Sequence, residues 1–150
     1  MFSHRAARWS DRTIEEPQSG ALRLLVVDDY EPGAEALAAV LHADGYQVRC
    51  VFSGRAALQL TQTWVPNIAV LDINMPEMNG LELAHRLRLR PVTSDIGIIA
   101  FTALDESAVR SGGVDTSFDG YCQKAGAPTT LLRLITRMLR SASRPPTMHD

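Results

Sequence analysis

Residues 24–29 read Leu24-Leu25-Val26-Val27-Asp28-Asp29, a run of four aliphatic side chains that ends in two carboxylates. The pattern recurs three times, with Asp72 after Ile68-Ala69-Val70-Leu71, Thr102 after Ile98-Ile99-Ala100-Phe101, and Lys124 shortly after Gly120-Tyr121-Cys122. Continuous runs of Val, Ile and Leu are typical of strands in a parallel sheet that is buried on both faces. We therefore predict parallel strands with a polar residue near the end of each of these four.

Helical patterns alternate with these strands. The first predicted helix begins near Glu31-Pro32 and ends at Gly45, and the last begins at Pro128 with Leu131, Leu134, Ile135 and Met138 inward. Tyr46 to Phe52 adds a further strand, which gives five strand–helix units without an internal repeat. The sequence therefore predicts an α/β fold with one doubly wound, five-stranded parallel sheet. Ligands bind at the carboxyl ends of the strands in such sheets.

Length and composition limit the number of domains and the kinds of partner. The 150 residues suit one domain, for which we predict residues 21–140, after a flexible leader over 1–20 and before a flexible tail over 141–150. The net charge of −2 gives no general attraction to nucleic acid or to an anionic membrane, and we expect direct contact with neither. Cys50 and Cys122 fall on separate strands, so we expect free thiols in a reducing, cytoplasmic environment.

The polar residues at the strand ends point to metal and phosphoryl chemistry. Asp28, Asp29 and Asp72 offer the oxygen ligands that Mg²⁺ prefers, and Mn²⁺ is the alternative. Carboxylates gathered at one edge repel each other unless a cation is present. With a cation bound, one carboxylate can act as a nucleophile toward phosphorus. Lys124, the only lysine of the chain, and Thr102 would then surround the transferred group with positive charge and a donor.

Four segments in this order resemble the receiver domains of two-component response regulators: residues 24–29, 71–80, 101–103 and 121–124. The resemblance covers about residues 21–140 and implies the flavodoxin-like (βα)5 fold of CheY, with strand order 2-1-3-4-5. It implies that Asp72 is the phosphoacceptor, that Thr102 and Lys124 contact the phosphoryl group, and that Tyr121 is a switch residue that turns with Thr102. It also implies Mg²⁺ ligands, which are Asp28, Asp29, Asp72 and the backbone carbonyl of Asn74.

The sequence departs from the family pattern at three positions. Ala125 follows Lys124 where the family usually has proline, and Tyr30 follows the acidic pair where a smaller polar or acidic residue is more common. Leu104 is apolar at a position where polar groups often tune hydrolysis. We therefore predict that Asn74 and Leu104 together set the lifetime of the phosphoryl group.

Arginines near the end of the chain form a candidate partner surface. Arg133, Arg137, Arg140 and Arg144 recur at helical spacing and would share one face of the last helix. This face is either solvated or a docking surface for an acidic partner or for a second receiver. Arg86, Arg88 and Arg90 alternate by two, so we interpret them as surface charges.

These features predict a stand-alone receiver, not an enzyme. It would accept a phosphoryl group on Asp72 from a histidine kinase or phosphotransfer protein and signal by conformational change to a downstream protein or by self-dimerisation. A pseudo-receiver that binds partners without phosphorylation is the alternative, motivated by Tyr30 and Ala125. A haloacid-dehalogenase-like phosphatase is a third, but Asn74 occupies the position where that family needs a second aspartate.

Overall fold

A mainly parallel sheet lies at the centre of the structure, with helices on both faces. The computed structural model describes residues 5–111, 117–125 and 128–141. In chain order the elements are β1 (Ala6–Arg8), β2 (Ile14–Glu15), β3 (Arg23–Val27), α1 (Glu31–Ala43), β4 (Gln47–Val51), α2 (Gly54–Leu60), β5 (Ile68–Leu71), α3 (Gly80–Leu89), β6 (Gly97–Thr102), α4 (Glu106–Ser111), β7 (Gly120–Gln123), α5 (Pro128–Met138) and β8 (Leu139–Arg140).

The strand order of the main sheet is β1-β7-β6-β5-β3-β4. The five strands from β3 to β7 are parallel, and their order is the predicted 2-1-3-4-5, so the predicted fold class is confirmed. The sixth strand, β1, is antiparallel to β7 and lies at the edge of the sheet. A second sheet consists of β2 and β8, which pair in parallel.

Alternation along the strands divides the core into two layers. In β3, Leu25 and Val27 belong to the cluster that includes residues of α2 and α3, whereas Leu24 and Val26 belong to the cluster that includes residues of α1 and α5. Both clusters are buried because successive strand residues point to opposite faces. The four apolar residues predicted to face inward from the last helix are all buried.

Local capping explains where the helices begin and end. The Ser53 hydroxyl accepts from the backbone N–H of Ala56 at the start of α2, and the Asn79 side chain accepts from the N–H of Glu82 at the start of α3. These side chains satisfy N–H groups that have no partner within the helix. Gly45, with φ of +102°, lets the chain turn after α1.

The prediction that residues 1–20 form a flexible leader is wrong for the described part, residues 5–20. This segment contributes β1 and β2, and both are paired with strands near the other end of the chain. The physical reason is that β7 would otherwise expose an unpaired row of backbone groups at the sheet edge. The predicted tail lies outside the described residues except for residue 141.

Cys50 lies on β4 and Cys122 on β7, and both are free thiols. β4 lies at one edge of the main sheet, whereas β7 lies between β6 and β1. The two thiols are therefore on well-separated strands. Among the described residues, no helix has the length and apolar character needed to cross a membrane.

Candidate functional site

Three carboxylates meet at the carboxyl ends of β3 and β5. One oxygen from each of Asp28, Asp29 and Asp72 lies within 4.8 Å of the other two. Asp28 and Asp72 are buried, with exposed fractions of 6% and 8%, whereas Asp29 is exposed. Opposite ligands of an octahedral Mg²⁺ lie about 4.2 Å apart, twice the usual Mg–O distance of about 2.1 Å. These hard oxygen donors therefore lie close enough together to share one divalent cation.

Lys124 brings a positive charge to the same cluster. It follows β7, and its backbone N–H donates to the carbonyl of Thr102 at 2.8 Å, which fixes the loop beside the end of β6. Its Nζ donates to Oδ2 of Asp28 at 2.5 Å and lies 3.5 Å from Oδ2 of Asp72. The ammonium thus contacts both buried carboxylates, and it remains partly exposed to solvent.

The environment of Asp72 disfavours its charged form. Burial raises the pKa of the Asp72 carboxyl, Lys124 opposes that rise, and the neighbouring charges of Asp28 and Asp29 add to it. A single ammonium therefore does not fully offset burial and the repulsion among the carboxylates. A divalent cation at this position would stabilise the ionised carboxylate, which is the nucleophilic form.

Thr102 is the remaining polar residue predicted at the end of a strand. It ends β6, is 1% exposed, and its Oγ1 accepts from the backbone N–H of Leu104 at 3.3 Å. Because the hydroxyl accepts that bond, its own hydrogen remains available to another acceptor. Asp28, Asp72, Thr102 and Lys124 therefore lie at the ends of neighbouring strands, as the sequence predicts.

The comparison with known proteins agrees with this geometry. The family model described as "Response regulator receiver domain" matches residues 24–136. The chain belongs to the receiver domain family of response regulators. Receiver domains are signalling modules of two-component systems rather than classical enzymes, and Mg²⁺ binding and phosphorylation are features of the family. This membership removes the phosphatase alternative.

Individual relatives of the chain are also response regulators or their receiver domains. The chain is 37% identical over 119 residues to the response regulator MprA of Mycolicibacterium vanbaalenii, which covers 79% of this chain and 51% of that protein. It therefore spans about half the length of the curated relatives that it matches. Among solved structures, the chemotaxis protein CheY4 of Vibrio cholerae matches with a TM-score of 0.75 and 27% identity, covering 80% of this chain and 100% of that one.

A second solved structure that resembles this chain is a complex with Mg²⁺ and BeF. The response regulator TrrA of Thermotoga maritima, in complex with Mg²⁺-BeF, matches with a TM-score of 0.71 and 31% identity. The match covers 79% of this chain and 99% of that chain.

In this receiver domain the predicted switch residue Tyr121 is buried. Its side chain has an exposed fraction of 0%, and its hydroxyl donates to the carbonyl of Leu104 at 2.5 Å. Burial raises the pKa of Tyr121 to about 12, and the charges of Asp105 and Glu106 add to the rise. The phenol is therefore linked through Leu104 to the Thr102 hydroxyl. Rotation of Tyr121 between two states remains a prediction.

The residues expected to tune hydrolysis lie on separate loops. Asn74 is exposed in the loop after β5, and Leu104 is partly buried in the loop after β6. Ala125 follows Lys124 without a cis bond, since the described residues contain no cis peptide. The role of the Asn74 carbonyl as a metal ligand remains a prediction, as does the effect of Leu104 on phosphoryl lifetime.

The arginine residues near the end of the chain do not form one helical face. Arg133 and Arg137 are exposed on α5, where they line a groove of 410 Å³ together with Asp44 beside the end of α1. Arg140 lies on β8, because the helix ends at Met138 and the chain continues in extended form to pair with β2. The prediction that Arg140 shares the helical face is therefore wrong. Arg144 lies outside the described residues.

Two residues that position the site were not singled out from the sequence. A Cβ added to Gly80 would overlap the carbonyl oxygen of Asp72 and lie 2.9 Å from Cα of Ile73, so only glycine lets α3 start this close to the acceptor. Its place eight residues after Asp72, directly after the Asn79 cap, was the available signal. Trp9 stacks on Tyr121 with ring centroids 5.6 Å apart, and no local pattern indicated that contact.

Proposed function

We propose that this chain accepts a phosphoryl group on Asp72 from a histidine kinase or a phosphotransfer protein, with Mg²⁺ bound at the carboxylate cluster. The observation that carries the proposal is the convergence of two buried carboxylates with Lys124 at the strand ends. Asp29 adds an exposed carboxylate, and Thr102 adds a hydroxyl from the next strand. Mn²⁺ has the same preference for oxygen ligands and is the alternative cation.

The transfer is a displacement at phosphorus. A carboxylate oxygen of Asp72 forms the new P–O bond, the P–N bond to the donor histidine breaks, and the histidine nitrogen keeps the electron pair and takes a proton from solvent. Lys124 and the Thr102 hydroxyl donate to the oxygens of the transferring group, which carry most of its negative charge. When bound, Mg²⁺ would supply further positive charge at those oxygens. The acyl phosphate then holds the signal.

Phosphorylation with a small-molecule donor tests the site directly. Acetyl phosphate with Mg²⁺ should add one phosphate to the wild-type protein, and peptide mass spectrometry should place it on Asp72. Asp72→Asn should remain unmodified. Asp44→Asn is the matched control, because Asp44 is an exposed carboxylate at the end of α1, away from the cluster. A phosphate on any other residue would contradict the proposal.

Lys124 provides a second test with a different readout. Lys124→Ala should lower the phosphotransfer rate by roughly 10²-fold or more, because it removes a charged donor from the developing negative charge. With acetyl phosphate as the donor, which needs no docking surface, Arg137→Ala is a matched loss of one exposed cation and should leave the rate unchanged. Equal rates in the Lys124 variant and the wild type would contradict the proposed role.

The pseudo-receiver remains the alternative, supported by the departures at Tyr30 and Ala125. Tyr30 is 65% exposed beside the site, so it does not fill the carboxylate cluster. If the wild type acquires no phosphate from a donor that modifies another receiver in the same assay, the protein acts as an interaction module. Titration with Mg²⁺ distinguishes the two further, because a working acceptor should bind the cation weakly and reversibly.

Output is proposed to pass to a downstream protein or to a second copy of the receiver. Phosphorylation should change partner affinity, and Thr102→Ala should reduce that change because it removes the hydroxyl proposed to bind the phosphoryl group. Charge reversal at Arg133 and Arg137 should weaken docking of an acidic partner while phosphorylation at Asp72 continues. Unchanged partner binding would assign these arginines to an ordinary solvated helix surface.

A further inference from the structure

Residues 5–12, here called the N-terminal arm, cover the edge of the main sheet beside α4. Ala7 of the arm pairs with Tyr121 in antiparallel register. The pairing continues beyond the three residues of β1, because the N–H of Gln123 donates to the Arg5 carbonyl at 2.6 Å and the N–H of Trp9 donates to the Asp119 carbonyl at 2.7 Å. The arm thus occupies the hydrogen-bonding edge that β7 would otherwise present.

Trp9 anchors the arm through contacts of its ring and of its indole N–H. The ring stacks on Tyr121 with an interplanar angle of 10°, and the guanidinium of Arg110 lies 4.6 Å from the ring centroid. The Nε1 of Trp9 donates to Oε2 of Glu106 at 2.6 Å, so the indole is tied to α4 as well. Phe118 packs edge-on against it, with centroids 6.4 Å apart. An aromatic ring with its polar atom satisfied is a strong anchor.

The buried carboxylate of Asp119 binds the arm and also has hydrogen-bond partners outside the arm. Asp119 is 2% exposed and accepts from the Ser10 hydroxyl at 2.6 Å and from Arg12 Nε at 3.0 Å. It also accepts from Arg88 Nη2 at 2.7 Å and from the N–H of Ile98 at 2.9 Å. If the arm left, these last two partners would still satisfy Asp119. The arm can therefore detach without leaving an unpaired buried charge.

Contacts lead from the arm to the proposed phosphoryl site. Trp9 covers the ring of Tyr121, the Tyr121 hydroxyl donates to the Leu104 carbonyl, and the Leu104 N–H donates to the Thr102 hydroxyl. Because Tyr121 is fully buried, its ring cannot turn out to solvent unless Trp9 moves. The docked arm thus holds the Leu104 loop where the Thr102 hydroxyl accepts from Leu104, which leaves its hydrogen free for a phosphoryl oxygen.

We propose that the N-terminal arm is an intramolecular ligand of the face formed by β7 and α4, and that its docking and phosphoryl binding at Asp72 favour the same state. The inference rests on the proposed function for the site at Asp72. Since coupling between two sites is reciprocal, phosphorylation tightens the arm, and the docked arm strengthens phosphoryl binding. A partner that recognises the phosphorylated face then contacts Trp9 and α4 rather than a bare strand edge.

Beryllofluoride with Mg²⁺, a stable phosphoryl analogue, tests this coupling. Trp9→Ala should weaken beryllofluoride binding by about fivefold or more, the lower end of typical coupling between sites. Tyr121→Phe, which removes only the bond to the Leu104 carbonyl, should also weaken it. If both act through one connection, the double variant should be little worse than the more affected single variant. Glu15→Gln is the matched control just beyond the arm, because Glu15 lies on β2 and its exposed pair is with Arg140 of β8, and this variant should bind as the wild type does.

Fluorine NMR on protein labelled with 5-fluorotryptophan gives an independent readout. The chain has two tryptophans, Trp9 and Trp64. The Trp9 signal should shift on addition of beryllofluoride while the Trp64 signal stays in place, and an unchanged Trp64 signal in Trp9→Ala shows that the variant is folded. If Trp9→Ala does not fold, Trp9→Phe carries the same test, because it keeps an aromatic ring but loses the bond from the indole N–H to Glu106.

The outcomes separate this inference from the proposed function. No beryllofluoride binding by the wild type overturns the proposed function and, with it, the coupling. Binding by the wild type with equal affinity in Trp9→Ala overturns the coupling alone, whatever the affinity of Tyr121→Phe. Tighter binding in Trp9→Ala also overturns it, because the arm would then oppose the phosphoryl state.

Discussion

Substitution of Asp119 by alanine should be among the most destabilising changes in this receiver domain. Its carboxylate is buried and joins the arm, α3 and β6 through Ser10, Arg12, Arg88 and the N–H of Ile98. Asp119→Ala leaves Arg88 without its carboxylate at a site where that side chain is only 14% exposed. Burial already lowers the pKa of Arg88, and the negative charge of Asp119 opposes this effect.

The expected loss follows from these contacts. Breaking a buried ion pair by removing one partner costs about 3–5 kcal/mol. Arg88 retains hydrogen bonds to the carbonyls of Ser94, Ile96 and Ser117, so its charge is not left wholly unsolvated. The N–H of Ile98, however, loses its acceptor inside the sheet, which adds about 1–3 kcal/mol. Because Arg88 keeps these three carbonyl partners, we take the low end of both terms and expect a decrease of roughly 4 kcal/mol in the free energy of unfolding.

Urea denaturation followed by circular dichroism measures this quantity. With a slope of about 2 kcal/mol per molar urea, the midpoint should fall by about 2 M. Glu15→Gln, which breaks the exposed pair with Arg140, should cost about 1 kcal/mol or less. Ser10→Ala removes a bond from the arm but keeps Arg88 paired, so its cost should fall between the two. A loss below about 1 kcal/mol for Asp119→Ala would refute the view that this carboxylate holds Arg88 in place.

Three further predictions concern the site. Gly80→Ala should destabilise the fold by about 1–3 kcal/mol in urea denaturation and weaken Mg²⁺ binding, because the added Cβ displaces the backbone at Asp72. Leu104→Gln or Leu104→Glu should speed the decay of radiolabelled acyl phosphate, since a polar side chain can hold water near phosphorus; equal or slower decay would show that Leu104 does not control access. In a spectrophotometric titration, the difference between wild type and Tyr121→Phe should show a phenol with a pKa of about 12. Because this pKa is raised above the ordinary 10.0, the unfolded chain loses the proton first, and the contribution of Tyr121 to stability should fall between pH 10 and 12.

Much of the fold and the candidate site follow from local patterns in the chain. Runs such as residues 24–27 specify buried parallel strands by composition alone, and parallel strands place their carboxyl ends at one edge. Asp28, Asp72, Thr102 and Lys124 could therefore be assigned to one site, because each follows or ends its own strand. Their grouping depends on strand order, which the resemblance to receiver domains implied and the topology confirms.

Other features depend on contacts between residues far apart in sequence. The spacing of Arg88 suggested a surface charge, yet its side chain is largely buried and pairs with Asp119, 31 residues later in the chain. A helical period likewise could not show that α5 ends at Met138 and that Arg140 continues into a strand. That end is set by pairing with β2, a two-residue strand too short to have a sequence pattern of its own.

The N-terminal arm shows most clearly which features the sequence determines and which depend on the tertiary structure. Three residues of strand and a single tryptophan carry no periodicity, so the sequence alone indicated only a polar segment before the domain. The arm lies where it does because the outer edge of β7 has no other strand to pair with. Trp9 also stacks on the ring of Tyr121, which is 112 residues later in the chain. Sequence determined the strands and the chemical groups at their ends, because those depend on neighbouring residues. The tertiary structure decided which surface the arm covers, because that depends on edge pairing and ring stacking between the two ends of the chain.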